Sequence, residues 1–197
     1  MSDLETIRVY DSRAADYAEL TNSVAPKDPR LQAFIDACTK GGRVLDLGCG
    51  PGMSAATMAL AGLQVDAIDA SAEMVAMASQ HEGVTAQQAT FDQISGDNTY
   101  NGVWASFSLL HAPRADMPEH LQAIHRALKP GGAFYIGLKL GQGEVRDSIG
   151  RLYTYYSQAE LEALLQHTGF TVLNRTFGED VGLSGEMARW ISVAAHG

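Results

Sequence analysis

Short apolar runs and helically spaced segments alternate along much of the chain. Val44-Leu45-Asp46-Leu47 is apolar on both sides of a single acid, which reads as a parallel strand, residues 43–47, buried on both faces. Residues 64–69 and 100–107 predict further strands, and 84–88 a weaker one. Between them, 53–61 predicts a helix, and Ser71 caps another with Glu73 in its first turn. Residues 117–128 predict a helix that Pro130 stops, followed by a strand over 133–140. Ser157-Gln158-Ala159-Glu160 is a capping box for a helix ending at Gly169, and two apolar stretches, 170–177 and 186–195, predict the last strands. Upstream, 2–20 predicts one helix with Ile7, Tyr10, Ala14, Tyr17 and Ala18 on one side. A second helix begins after Asp28 with Pro29 in its first turn. This alternation predicts an α/β fold, doubly wound, with a mostly parallel sheet covered by helices on both faces.

Composition narrows the setting. A chain of 197 residues suits one α/β domain, and 46% apolar content with a mean hydropathy of -0.08 suits a soluble globule. No apolar segment has the length of a membrane span, and the first residues lack the basic and apolar regions of a signal peptide, so the expected location is cytoplasmic. A net charge of -9 argues against a nucleic-acid partner. Cys38 and Cys49 have neither disulfide nor zinc spacing; Cys49, between two glycines, reads as packing. His120 and His125 do not share a helix face, so no metal is expected.

The stretch Arg43 to Ser54, RVLDLGCGPGMS, carries the candidate chemistry. Its spacing is Asp46-x-Gly48-x-Gly50-x-Gly52, behind a strand and before a helix, where open α/β sheets bind ligands. A dinucleotide fingerprint requires a third glycine at Met53, and a P-loop requires a Gly-Lys-Ser/Thr that is absent. Asp69 stands where a second-strand acid reaches a ribose hydroxyl. VLDLGCGPG, VDAIDAS at 65–71, YNGVWASFSLLH at 100–111 and ALKPGGAFYIGLK at 127–139 occur in the order of the class I S-adenosylmethionine-dependent methyltransferase motifs, and nearly the whole chain resembles that family.

The resemblance implies a seven-stranded sheet of order 3-2-1-4-5-7-6 with the last-placed strand antiparallel. It implies one domain over 1–197, with a helical lid at 1–40 and a Rossmann-like core at 41–197. The implied cofactor is S-adenosylmethionine, its tail against Gly48, Gly50 and Gly52 and its ammonium near Asp46. Asp69 would hold the ribose, with Ala70 and Met74 nearby. Thr90 or Phe91 would meet the adenine edge, with Asp92 as the alternative should the loop shift. Ser106 completes the set, and Tyr10 and Tyr17 would close over the sulfonium. Each has a plainer reading: Asp46 as a buried acid bonded to loop amides, Met74 and the tyrosines as core.

Methyl transfer from a sulfonium needs alignment and exclusion of water more than covalent help. His111, just beyond the fourth strand, is the candidate general base; the alternative is a histidine that only orders its loop. No Asn/Asp-Pro-Pro-Tyr sequence follows that strand, where Ser106-Phe107-Ser108 stands, and no cysteine follows Cys49. These absences point to a small-molecule acceptor. The segment 139–158 mixes cations with aromatics, including Lys139, Arg151, Tyr153 and Tyr155, a composition suited to an anionic or planar compound. Arg151 and Tyr155 are the chosen substrate contacts, with Trp190 nearby. The competing readings are a cofactor-binding protein without transfer activity and a dinucleotide oxidoreductase. Neither the oligomeric state nor the acceptor can be read from these residues.

Overall fold

The structure, a computed structural model, describes residues 3–21 and 25–197. Helices α1 (Leu4–Ser12), α2 (Ala14–Thr21) and α3 (Pro29–Ala37) precede the first strand. Then come β1 (Arg43–Leu47), α4 (Met53–Leu60), β2 (Gln64–Asp69), α5 (Ala72–Ala78), β3 (Val84–Gln88) and β4 (Tyr100–Ser106). The second half adds α6 (Met117–Ala127), β5 (Leu128–Lys139), β6 (Glu144–Arg146), β7 (Leu152–Thr154), α7 (Gln158–His167), β8 (Thr171–Val181) and β9 (Met187–His196).

Seven strands form one sheet in the order β3-β2-β1-β4-β5-β9-β8, and β6 pairs with β7 in a separate hairpin. With the hairpin left out of the count, this is the expected 3-2-1-4-5-7-6. Strand β9 runs antiparallel to both neighbours and the other pairings are parallel.

Alternation along each strand sends side chains to two cores. Leu45, Leu47, Val103, Phe134 and Ile136 pack with α6 and α7 on one face. Val44, Ala67, Trp104 and Tyr135 pack with α3 and α4 on the other. Asp46 shares parity with Val44 and lies level with Trp104 across the β1–β4 pair, so an acid is built into the second, otherwise apolar face.

Several element boundaries differ from expectation. The helix predicted over 2–20 is two helices, interrupted at Arg13, whose backbone leaves helical values at φ -122 and ψ 23; Ser2 lies outside the described residues. Helix α6 stops one residue early because Leu128 is already extended and pairs with Tyr100. The register then jumps from Tyr100–Leu128 to Gly102–Ala133, so Lys129-Pro130-Gly131-Gly132 forms a bulge within β5 instead of a loop before it. The expected strand over 100–107 ends at Ser106 because Phe107 turns to φ 54, a left-handed value unusual for a phenylalanine. Strand β8 continues past residue 177 to Val181. The β6–β7 hairpin was read only as part of a loop: its strands are three residues each, too short to show a period.

Candidate active site

The glycine loop is folded back onto β2: the amides of Gly48 and Cys49 both donate to the Ile68 carbonyl, at 2.8 and 3.0 Å. Its three glycines have positive φ, and the missing side chains leave room for different things. A Cβ on Gly48 would lie 2.3 Å from the Ser108 Cβ, so this glycine admits the loop after β4. A Cβ on Gly50 would reach Tyr17 at 3.3 Å. Gly52 faces away from the cleft: its Cβ would meet the Ala78 backbone at 2.8 Å, so this third glycine serves helix packing.

Two carboxylates stand at the carboxyl ends of the first two strands. Asp69 accepts from the Gly50 amide and from the Ser71 amide, each at 2.9 Å, which fixes its plane and leaves lone pairs facing the cavity. Burial raises its pKa and the two amides oppose that rise. Asp46 is 2% exposed, and its Oδ2 has no hydrogen-bond partner among the described residues. Burial first, and then the charge of Asp69, push its pKa up to about 7. A buried anionic oxygen with no partner calls for a cation.

Above the loop, α1 and α2 form a roof. The break at Arg13 leaves Tyr10 and Tyr17 together, ring centroids 5.4 Å apart and edge to face. The Asp3 carboxylate receives the Arg146 guanidinium at 2.7 Å, the Leu152 amide donates to the Thr6 hydroxyl at 2.8 Å, and the Ser71 hydroxyl bonds Asp11 at 2.6 Å. The roof is thus tied to the hairpin on one side and to α5 on the other.

Beneath it runs a relay of side chains. His111 Nδ1 lies 2.6 Å from the Leu152 carbonyl, which can only accept, so Nδ1 carries the proton. Nε2 then accepts from the Tyr10 hydroxyl at 2.8 Å, and that hydroxyl accepts from Arg151 Nη1 at 3.0 Å. Arg151, itself buried, is clamped by Asp147 through Nε and Nη2 at 2.9 and 2.8 Å. Burial lowers the His111 pKa to about 3, so the ring stays neutral. Both ring nitrogens are occupied, and a proton from an acceptor has nowhere to go on His111 without breaking this relay.

Two connected clefts share Tyr10, Tyr17, Gly48, Gly50, Ser106 and Phe107. The first measures about 660 Å³ with its open mouth included and brings in Asp69, Ala70, Met74, Phe91 and His111. The second, about 1540 Å³ on the same basis, brings in Asp46, Arg151, Lys139, Tyr153 and Trp190. Thr90 and Tyr155 line neither. The Thr90 amide and hydroxyl both bond the Gln93 side chain, at 2.8 and 3.1 Å, in the turn after β3. Asp92 lies exposed on that turn, outside both clefts. Tyr155 sits beyond Tyr153 against Gly141, while Tyr153 takes the position facing the cleft.

Phe107 and Arg30 also face this space and were not singled out from sequence. Phe107 follows a recognisable strand, but its left-handed backbone leaves no trace in the residue type.

Two carboxylates, one of them with a partnerless buried oxygen, disfavour a pyrophosphate beside them and suit a ligand that carries a cation and a sugar. A family profile described as a methyltransferase domain matches residues 44–132. The chain is 32% identical to an uncharacterised methyltransferase of Synechocystis sp., over 71% of each chain. It belongs to the class I S-adenosylmethionine-dependent methyltransferases. It is also 33% identical to the cypemycin N-terminal methyltransferase of a Streptomyces species over 65% of this chain, but spans 55%, about half, of that relative. Its fold matches that of Burkholderia thailandensis 1,6-didemethyltoxoflavin-N1-methyltransferase, solved with its substrate and S-adenosylhomocysteine, at TM-score 0.80 and 22% identity, covering 98% of this chain and 87% of that one. The family's cofactor is S-adenosylmethionine. No helix among the described residues is long and apolar enough to cross a membrane, and none of their His, Cys, Asp and Glu side chains group as a metal site.

Proposed function

We propose that this methyltransferase moves a methyl group from S-adenosylmethionine to a small-molecule acceptor, as one domain whose helical lid covers the cofactor, and that it works in the cytoplasm. Residues 1–2 and 22–24 of that lid lie outside the described residues. The observation that carries the reading is the pair of acids at the ends of β1 and β2: Asp69 held by loop amides with free lone pairs, and Asp46 buried with one oxygen unpaired. Asp69 would hold the ribose hydroxyls, Asp46 the ammonium, and Met74, Ala70 and Phe91 the adenine, with Gly48 and Gly50 letting the main chain approach the tail.

Bound there, the cofactor would supply a methyl group already activated on a sulfonium. The chain's own part is to position and to exclude water. Tyr10 and Tyr17 close the roof over the junction of the clefts, and their rings offer a favourable face to a cation. His111 and Arg151 fix the Tyr10 hydroxyl, so we read both as positioning residues. Alignment of this kind can supply much of the acceleration of an in-line transfer.

Calorimetric titration checks the cofactor. S-adenosylhomocysteine should bind in the micromolar range, and NAD should give no heat. A panel of phenols, carboxylates, amines and thiols, offered with S-adenosylmethionine, then reads transfer. NAD binding in preference to S-adenosylhomocysteine would end the proposal.

A further inference from the structure

The second cleft has a wall whose chemistry defines an acceptor. Lys139 ends β5 and lies directly opposite Trp190 on β9, so both side chains project from the same side of the sheet. The indole is fixed from several directions. Gly178, its partner on β8, leaves the space the ring occupies: a Cβ there would lie 2.2 Å from Cζ2. The indole N–H donates to Asp180 at 2.7 Å, the Arg30 guanidinium lies 4.7 Å from the ring centroid, and Phe107 meets the ring edge to face at 5.9 Å. A flat aromatic surface is therefore held rigid beside the cofactor half of the cleft.

Both arginines near it are held by carboxylates, although the buried Nη1 of Arg30 has no hydrogen-bond partner among the described residues. Arg151 is clamped by Asp147, and Arg30 by Asp28 at 2.7 and 2.8 Å. Asp180 is occupied by the indole, and Asp46 belongs to the cofactor end. The Lys139 ammonium has no carboxylate in salt-bridge range among the described residues, and it sits over the face of Tyr153, 4.0 Å from the ring centroid. This half-buried ammonium over an aromatic face has lost part of its hydration, and the nearby carboxylates of Asp147 and Glu186 favour its charge without contacting it.

We propose that Lys139, Trp190 and Tyr153 form the acceptor subsite, and that it selects a planar aromatic compound bearing an anionic group, with the ring along Trp190 and the anion on Lys139. This rests on the methyl-transfer reading, and it names the acceptor class which that reading leaves open. A neutral acceptor would leave Lys139 unpaired, and a cationic one would be repelled by it unless it drew Asp180 from the indole.

The test uses the whole chain saturated with S-adenosylhomocysteine and three probes of one shape: 2-naphthoate, neutral 2-naphthamide and cationic 2-naphthylmethylammonium, each titrated calorimetrically. The expected order is naphthoate tightest, by about tenfold over the amide, as one partly desolvated ion pair provides. Lys139→Gln should erase that preference and Lys139→Arg should keep it, while Trp190→Ala weakens naphthoate and amide alike. Circular dichroism confirms that each variant folds, and the arginine variant carries the charge test should the glutamine variant not. Equal or tighter binding of the amide or the ammonium, no binding of naphthoate, or a preference that survives Lys139→Gln would each overturn the proposal. S-adenosylhomocysteine is titrated first, on its own. Failure of wild type to bind it would strike the methyl-transfer reading, whereas a wrong probe order with that binding intact strikes only the acceptor class.

Discussion

The half of the cleft proposed for the cofactor is made largely from main chain: the loop at Gly48 and Gly50, the amides that hold Asp69, and the ends of β1 and β2. The acceptor half is made from long side chains brought in by β5, β7, β9 and α3. Main-chain parts follow from strand order and glycine spacing, so they leave a compact signature within about thirty residues of sequence. Side-chain parts converge from positions as far apart as Arg30, Lys139 and Trp190, and apart from the composition of 139–158 no local pattern marks them. On the proposed reading, one half would bind what the family shares and the other would be free to vary with the acceptor.

Substitutions at the two ends should therefore separate cleanly. The largest effect belongs to Asp69→Ala, which removes the proposed ribose contacts and leaves two amides unpaired. S-adenosylhomocysteine affinity should fall about 100-fold or more, consistent with two charge-assisted hydrogen bonds of about 1.5 kcal/mol each. Lys139→Gln, at the other end, should change that affinity by about twofold at most. Comparable losses in the two variants would dissolve the division between the halves.

Gly48→Ala comes next. It places a Cβ 2.3 Å from Ser108 and a side chain at φ 72, so steric clash and backbone strain act together. Thermal unfolding should register a loss of roughly 3 kcal/mol, or about 8 °C in Tm. An unchanged Tm would mean that the loop is not packed against the turn after β4 as described.

Asp46→Asn sharpens the contrast through pH. The folded pKa, about 7, stands above the ordinary 3.8, so the ligand-free native state binds this proton more tightly than the unfolded chain does. Stability from this group is present below the unfolded value and is lost as pH rises from about 4 to about 7. The asparagine variant should therefore be more stable than wild type at pH 8, by on the order of 2 kcal/mol, and nearly equal to it at pH 4. Its S-adenosylhomocysteine affinity should be lower at pH 8, and the rise in wild-type affinity through pH 7 should be absent.

Tyr10→Phe should have the smallest effect. It removes the hydroxyl between His111 and Arg151, leaving Nε2 and Nη1 without that partner. A loss of about 1 to 2 kcal/mol in chemical denaturation is expected, with the His111 ring nitrogens shifted in the NMR spectrum.

Much of the fold was legible from sequence. Strands β1 and β2 match their predicted spans because apolar runs bounded by glycine or polar turns leave little choice of register, and the edge strand β3 matches on a weaker signal. The capping box at Ser157, the Ser71 cap and Pro29 located helix starts for the same local reason. What could not be read depends on tertiary contact. The break at Arg13 interrupts a continuous helical pattern, and the β5 bulge is defined by its pairing with β4. The β6–β7 hairpin is closed by Asp147, whose carboxylate accepts from the Ile149 and Arg151 amides. The Asp-Ser-Ile-Gly stretch at 147–150 was its available turn signal.

Among the candidate residues, Asp46, Gly48, Gly50 and Asp69 line the two clefts, and their spacing along the chain is what made them legible. Gly52 shared the glycine pattern but serves packing. Tyr155 shared the composition of its segment but lies just past the end of β7, outside both clefts. Arg151 does reach the cleft, held by Asp147 and committed to Tyr10, an arrangement composition alone does not reveal.

A crystal structure of the protein with S-adenosylhomocysteine tests the central claim most directly. Ribose hydroxyls within hydrogen-bond distance of Asp69, and the ligand's ammonium beside the unpaired oxygen of Asp46, are the predicted result. Density for the ligand elsewhere, or a pyrophosphate-bearing compound seated against the two carboxylates, would contradict it.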